Sequence, residues 1–239
     1  MRQVKIEWVG VFLLVINVMF FSYVAANEIE NEGIKGVAYS KDGKVKFQSK
    51  KAKFKDGRIE MKNNVKIETE KGLSLDTDFL VWDKKKNLIH TNNTVNLKKD
   101  KDLEITGKGF EASTVLKKAS LEKNVVVTIK EDKKRRDYVM VTCDGPLEID
   151  YEKGRAVFYN NVKVNQKESQ LFSDKATMYF DAKDKKLIKI VAEGNVRIIR
   201  GENTSFSQKA TYFAQTRRVV LEGSPRLVVF PKESKLPVR

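Results

Sequence analysis

The chain has 239 residues, 47 Lys+Arg against 32 Asp+Glu, and a formal net charge of +15. With 41% hydrophobic residues and four prolines it can bury a core, which excludes wholesale disorder. One cysteine, Cys143, excludes an intramolecular disulfide framework, and one histidine, His90, excludes any multi-histidine metal site.

So basic a chain points to nucleic acid, an anionic membrane or an acidic glycan, and the compartment decides among them. Arg2 and Lys5 precede a nearly continuous apolar stretch from Ile6 to Ala26, interrupted by Glu7, Gly10 and Asn17. Positive charge on the entry side and about 20 apolar residues fit a signal anchor whose carboxyl end is exported. The stretch also ends in Val24-Ala25-Ala26, small residues that a signal peptidase accepts. Retained anchor over residues 6–26 or cleaved peptide, both readings export the remainder of the chain. Nucleic acid is thereby removed as a partner.

From Glu28 onward the apolar residues alternate. Val45, Phe47, Ser49, then Leu73, Leu75, Thr77, then Leu103, Ile105, Gly107 stand at every second position, the pattern of half-buried strands. A turn-and-strand motif recurs: Asn63-Asn64-Val65, Asn93-Thr94-Val95, Lys123-Asn124-Val125, Asn160-Asn161-Val162, Gly194-Asn195-Val196 and a last, altered Gly223-Ser224-Pro225. A second landmark keeps step with it. Small residues at Ser49, Thr77, Gly107, Cys143, Ser173 and Ser207 are followed three positions later by Ala52, Leu80, Phe110, Pro146, Ala176 and Ala210. The repeat of roughly 30 to 36 residues marks a repeat architecture. Tight-turn signals (Asp56-Gly57, Glu152-Lys153-Gly154, and the polar runs after Trp82 and Phe180) predict hairpins and antiparallel pairing. Stacked hairpins bury one another's faces. Val125 and Cys143 stand 18 positions apart, where the other repeats have 11 or 12, and the excess holds the charge run Lys130 to Asp137. That run is either a module boundary or a long surface loop.

No catalytic constellation emerges. His90 lies alone on a strand edge, without the nucleophile a histidine base would serve. Cys143 falls in the small-residue column and reads as packing. The carboxylate pairs Asp76/Asp78 and Asp181/Asp184 read as turn and edge solubility, and Gly107-Lys108-Gly109 is only a fragment of a phosphate loop. No enzyme activity, metal or other cofactor is expected. What remains is an apolar column. Phe47, Ile67, Leu75, Trp82, Leu97, Ile105 and Ile149 belong to it in the first part of the chain. Phe158, Val164, Phe172, Tyr179, Ile198, Phe206 and Tyr212 continue it. An open stack would make these residues the floor of a trough with a lysine- and arginine-rich rim, suited to acyl chains under an anionic head.

The segments Leu171-Phe172-Ser173-Asp174-Lys175-Ala176-Thr177-Met178-Tyr179-Phe180-Asp181 and Ile190 to Ile198 carry a resemblance, as does Ala210-Thr211-Tyr212 with Val219 to Pro225. With the exported leader, they resemble the lipopolysaccharide-transport periplasmic proteins (LptC/LptA, or OstA-like). The anchor and Val45 to Val127 are more similar to LptC, the later segments to LptA. The resemblance implies an all-β fold, a V-shaped β-jellyroll of two antiparallel sheets. It implies a leader over 1–26, an LptC-like module over 27–136 and an LptA-like module over 137–239. It further implies a periplasmic bridge that carries lipopolysaccharide from an inner-membrane ABC exporter toward the outer membrane. Other jellyroll bridge proteins would dock by edge-strand addition. The alternative from another class is an exported scaffold that binds acidic polysaccharide through its basic face.

Overall fold

The structure is a computed structural model and describes residues 29–40, 43–99, 103–113, 116–130, 138–181 and 186–230. The apolar leader and the charge run after Lys130 lie outside the described residues. Among those described, no helix is long and apolar enough to cross a membrane.

The alternating segments form strands, in chain order β1 (Ile29–Ser40), β2 (Gly43–Lys55), β3 (Arg58–Thr69), β4 (Leu73–Asp83) and β5 (Leu88–Lys99). They continue as β6 (Leu103–Ser113), β7 (Lys118–Lys130), β8 (Tyr138–Cys143), β9 (Leu147–Asp150) and β10 (Arg155–Gln166). The last are β11 (Ser169–Asp181), β12 (Lys186–Arg200), β13 (Asn203–Phe213), β14 (Arg218–Glu222) and β15 (Arg226–Val228). All join one 15-stranded sheet in which each strand is antiparallel to its sheet neighbours. Asp56 and Gly57, at φ of 51° and 81°, make the first predicted hairpin turn, since a two-residue loop matching strand twist needs both residues left-handed.

The two sequence landmarks are the two kinds of corner at which the strands fold over. On β3 the Asn63-Asn64 pair has φ of 62° and 55°, and Asn160-Asn161 on β10 repeats this at 62° and 53°. Asparagine is the side-chain-bearing residue that tolerates this region best. The bend turns Lys62, Asn63 and Asn64 outward and places the next buried side chain four positions on, from Met61 to Val65 and from Phe158 to Val162. On the neighbouring strands a β-bulge does the same work in three positions, from Ser49 to Ala52, Thr77 to Leu80 and Ser173 to Ala176. The pairing register shifts at these places, between Lys62 and Val65 on β3 and between Thr77 and Val81 on β4. β8 and β9 are the two arms of one strand interrupted by Asp144-Gly145-Pro146, and both pair with β7 and β10.

Packing explains the small column. Across the corner Val65 pairs with Thr77, Thr77 with Val95 and Val95 with Gly107; Val125 then pairs with Cys143, Val162 with Ser173 and Val196 with Ser207. A valine beside a residue no bulkier than threonine fills the tightest part of the fold without overlap. The arms on either side of the corners make two layers. Layer I holds the arms that end in the Asp56-Gly57 type of turn, and layer II those that end at Glu70–Gly72, Lys167-Glu168 and Gly201-Glu202. The core lies between them as one continuous cluster from Val45 to Phe180, with a smaller one at Ala192, Val196 and Ala210.

Candidate binding seam

Each layer presents an apolar row to the other. In layer II, strand pairing links Phe47, Ile67, Leu75, Leu97, Ile105 and Val127 in register. The row goes on through Val141, Val164, Leu171, Ile198, Ser205 and Leu227. In layer I it runs Phe54, Ile59, Trp82, Ile89, Ala112 and Ala119. Ile149, Ala156, Met178, Ile190, Tyr212 and Val219 complete it. Strict alternation within each arm makes these rows possible, because residues two apart share a face. At one end the Phe47 ring lies over Gly36, where any Cβ would collide with it.

Of the residues expected to line a trough, Phe47, Ile67, Leu75, Leu97, Ile105, Val164 and Ile198 fall in the layer II row. Trp82, Ile149 and Tyr212 fall in the layer I row, and Phe158 lies one step nearer the corner, beside Leu147 and Ala176. Phe172, Tyr179 and Phe206 do not join them. Phe172 stands between inward Leu171 and Ser173, and Phe206 beside inward Ser205 and Ser207, so both rings face outward. There Arg197 Cζ lies 4.3 Å and Lys163 Nζ 5.4 Å from the Phe172 ring centre. Tyr179 faces outward from layer I under Lys189, 4.8 Å away. Their size suggested burial, but a cation above the ring stabilises them at the surface instead. Sequence reasoning missed Ile89, Val127, Val141, Leu171 and Met178, all of which fixed steps from the corner motifs would have found.

The seam is graded from one end to the other. In the first half it is filled by its own side chains: Leu97 is 6% exposed and Val95 0%. The cleft between Leu73, Leu97, Leu103 and Ile105 of layer II and Phe110, Leu121 and Ile149 of layer I encloses only about 20 Å³, room for about one water. Toward β15 the packing thins. Leu171 and Ile198 are half-buried and Leu227 is 64% exposed. The inward row at the rim of layer II changes with it, from Leu103, Ile129 and Val139 to Gln166, Ser169, Arg200 and Asn203. An apolar floor with a polar, partly cationic lip thus opens at the carboxyl-terminal end. Chemically this arrangement offers apolar surface within and polar or cationic groups at its lip. Burial pushes the Cys143 thiol above its ordinary value, against weaker opposing hydrogen bonds from the Tyr159 and Gly145 backbone, which leaves it an inert packing group. His90 pairs in register with Val81 and Glu111, half-buried on the outer face. Among the described residues no cluster of three or more His, Cys, Asp or Glu could hold a metal.

The described residues thus form a corner-folded antiparallel meander with an apolar seam between two layers. The comparisons give the particular families. Residues 23–130 match the family described as lipopolysaccharide-assembly, LptC-related, and residues 145–235 match the family described as LptA/(LptD N-terminal domain) LPS transport protein. The chain is therefore LptC-like in its first half and LptA-like in its second. Among solved structures, LptH of Pseudomonas aeruginosa is titled the LptA-homologous periplasmic component of the lipopolysaccharide transport device. It matches at 13% identity over 78% of this chain and 95% of that chain, with a TM-score of 0.24. The search of curated proteins found no match.

Proposed function

We propose that the chain is a periplasmic component of a lipopolysaccharide-transport bridge, a carrier and not an enzyme, which holds acyl chains between its two layers. The observation behind this reading is the pair of facing apolar rows, in a chain whose halves match two families of that transport. An acyl chain of 12 carbons leaving a membrane costs about 9 kcal/mol at ~0.8 kcal/mol per methylene. A carrier must offer a nearly equal apolar environment, so lipid enters where the seam is open and advances as the layers part. Direction then comes from an inner-membrane ABC exporter that does the work. The edges at β1 and β14 suit docking with other jellyroll bridge proteins by strand addition. In this reading residues 27–136 are the LptC-like module and 137–239 the LptA-like module, following a leader over 1–26 that is either retained as an inner-membrane anchor or cleaved.

The test is site-specific photo-crosslinking in cells that make the transported lipid. A crosslinker at Ile198 or Leu171 traps lipid in a manner that depends on exporter and ATP, while one at Tyr179, outward on layer I, does not. Raising salt leaves the inner adducts in place, because apolar burial is not screened. Adducts confined to outer positions, with none at Ile198 or Leu171, would overturn the carrier.

A further inference from the structure

The outer face of layer II changes character halfway along the sheet. On β3 to β6 its charges neutralise one another, with Lys66 2.7 Å from Glu68 and Lys98 3.3 Å from Glu104. From β8 onward carboxylates leave both outer rows. One row reads Thr142, Lys163, Phe172, Arg197, Phe206, Arg226, and the next Met140, Asn165, Gln170, Ile199, Thr204, Val228. Aromatic rings stand where carboxylates stood. Besides the Lys163 and Arg197 contacts with Phe172, Arg226 Cζ lies 5.8 Å from the Phe206 ring centre. Among the described residues Lys163, Arg197 and Arg226 make no ion pair. Beyond β15 the surface continues into Val229 and Phe230, which is 57% exposed. Among the described residues carboxylates return at the borders of this face, Glu168 and Glu202 in the bounding turns and exposed Asp144 and Asp174 at the corners, where Asn161 and Asn195 donate to them. The outer face of layer I over the same strands is mixed: Lys175 lies 3.5 Å from Glu193 and Lys209 3.0 Å from Glu222, while the row nearer the hairpin turns, Arg155, Tyr179, Lys189, Phe213 and Arg218, holds no carboxylate.

We propose that this face, built on Lys163, Phe172, Arg197, Phe206 and Arg226 with Ile199 and Val228 beside them, docks the second half of the chain on an anionic phospholipid surface. Charge complementarity selects a polyanion, and the apolar residues between the cations select a bilayer among polyanions. Headgroup phosphates pair with the cations while Phe, Ile and Val side chains enter the boundary with the acyl region. Holding each cation over a ring keeps it extended along the surface at little entropic cost. The site differs from the seam in occupant as well as position: the seam takes single lipid molecules inside, and this face rests on a membrane.

The test places one fluorophore on the full chain, in a Cys143→Ser background, at Thr204→Cys within the patch or at Lys175→Cys on the opposite outer face. Quenching by spin-labelled lipid is read in vesicles of phosphatidylcholine with and without phosphatidylglycerol. The label at 204 is expected to be quenched in phosphatidylglycerol vesicles, less so at high salt, and the label at 175 to stay bright. Combining Lys163→Glu, Arg197→Glu and Arg226→Glu removes three surface cations, which lowers the ratio of quenched to unquenched label about 100-fold. The corresponding glutamine variants, with strand content checked by circular dichroism, replace the charge reversals if those fail to fold. Equal quenching at 204 and 175, or quenching at 204 indifferent to phosphatidylglycerol, overturns the proposal. So does protection of 204 by soluble polyglutamate or an acidic polysaccharide with no quenching by vesicles.

Discussion

At the corners, Ser49 donates to Lys51 O at 3.0 Å and Thr77 to Thr94 O at 2.9 Å, but the buried hydroxyls of Ser173 and Ser207 have no partner. A buried unpaired hydroxyl costs about 1–3 kcal/mol, so Ser173 is held in place by its size and not by its polarity. Ser173→Ala is therefore expected to leave stability unchanged or raise it by about 1 kcal/mol. Ser173→Val forces extra methyl volume into the buried space beside Val162 that serine now fills, at a cost of about 1–3 kcal/mol. Urea denaturation of both variants checks the pair of signs; a destabilised alanine variant would mean that the hydroxyl has a partner after all. Cys143 in the same column was legible as packing from sequence alone, because the column accepts any side chain small enough to sit beside a valine.

The element scale separates what sequence disclosed from what it hid. Corner positions were legible: a left-handed Asn pair and a bulge have narrow chemical requirements, and these recur in phase. The facing of Phe172 and Phe206 was misjudged from their size, although steps counted from the corner residues Ser173 and Ser207 turn both rings outward. The cations that hold them there sit on neighbouring strands, which no local pattern reveals. Edges follow from pairing alone. β14 pairs only with β13, and its Val219 is 53% exposed. Such an edge recruits another strand. Val219→Lys combined with Val220→Lys is expected to abolish self-association or partner binding while leaving strand content intact. Sedimentation velocity reads the first and circular dichroism the second; unchanged oligomer size would remove β14 as a docking edge.

Over the whole molecule, the seam runs from tightly filled to open, and stability should follow it. The large core cluster extends to Phe180, whereas the small one lies on β12 and β13. Amide hydrogen exchange is expected to be slowest in β4 to β10 and fastest in β13 to β15, since local opening tracks buried apolar contact. Uniform protection along the sheet would contradict the gradient. The sequence hinted at two modules through the displaced spacing before Cys143. It could not show that β7 pairs with both β8 and β9, so that one sheet runs through that point. Long-range pairing of this kind depends on residues far apart in repeat phase, and a charge run between them obscures it.

Because nearly every strand pairs with its neighbours in sequence, the sheet has modular arithmetic. Val65 and Val95 occupy equivalent corners on β3 and β5, each followed by an outer polar residue and an inner one, Ile67 or Leu97. Excising residues 66–95 joins the first arm of β3 to the second arm of β5 and removes one hairpin's worth of sheet while every remaining strand keeps neighbours of the same kind. The shortened protein is expected to fold, with cooperative melting and a loss of stability close to one repeat's share. Its seam is shorter by one hairpin spacing, roughly 10 Å at 4.7–4.9 Å per strand. The length of the seam is thus a number of hairpins that duplication can raise or deletion lower, with no redesign of the corners.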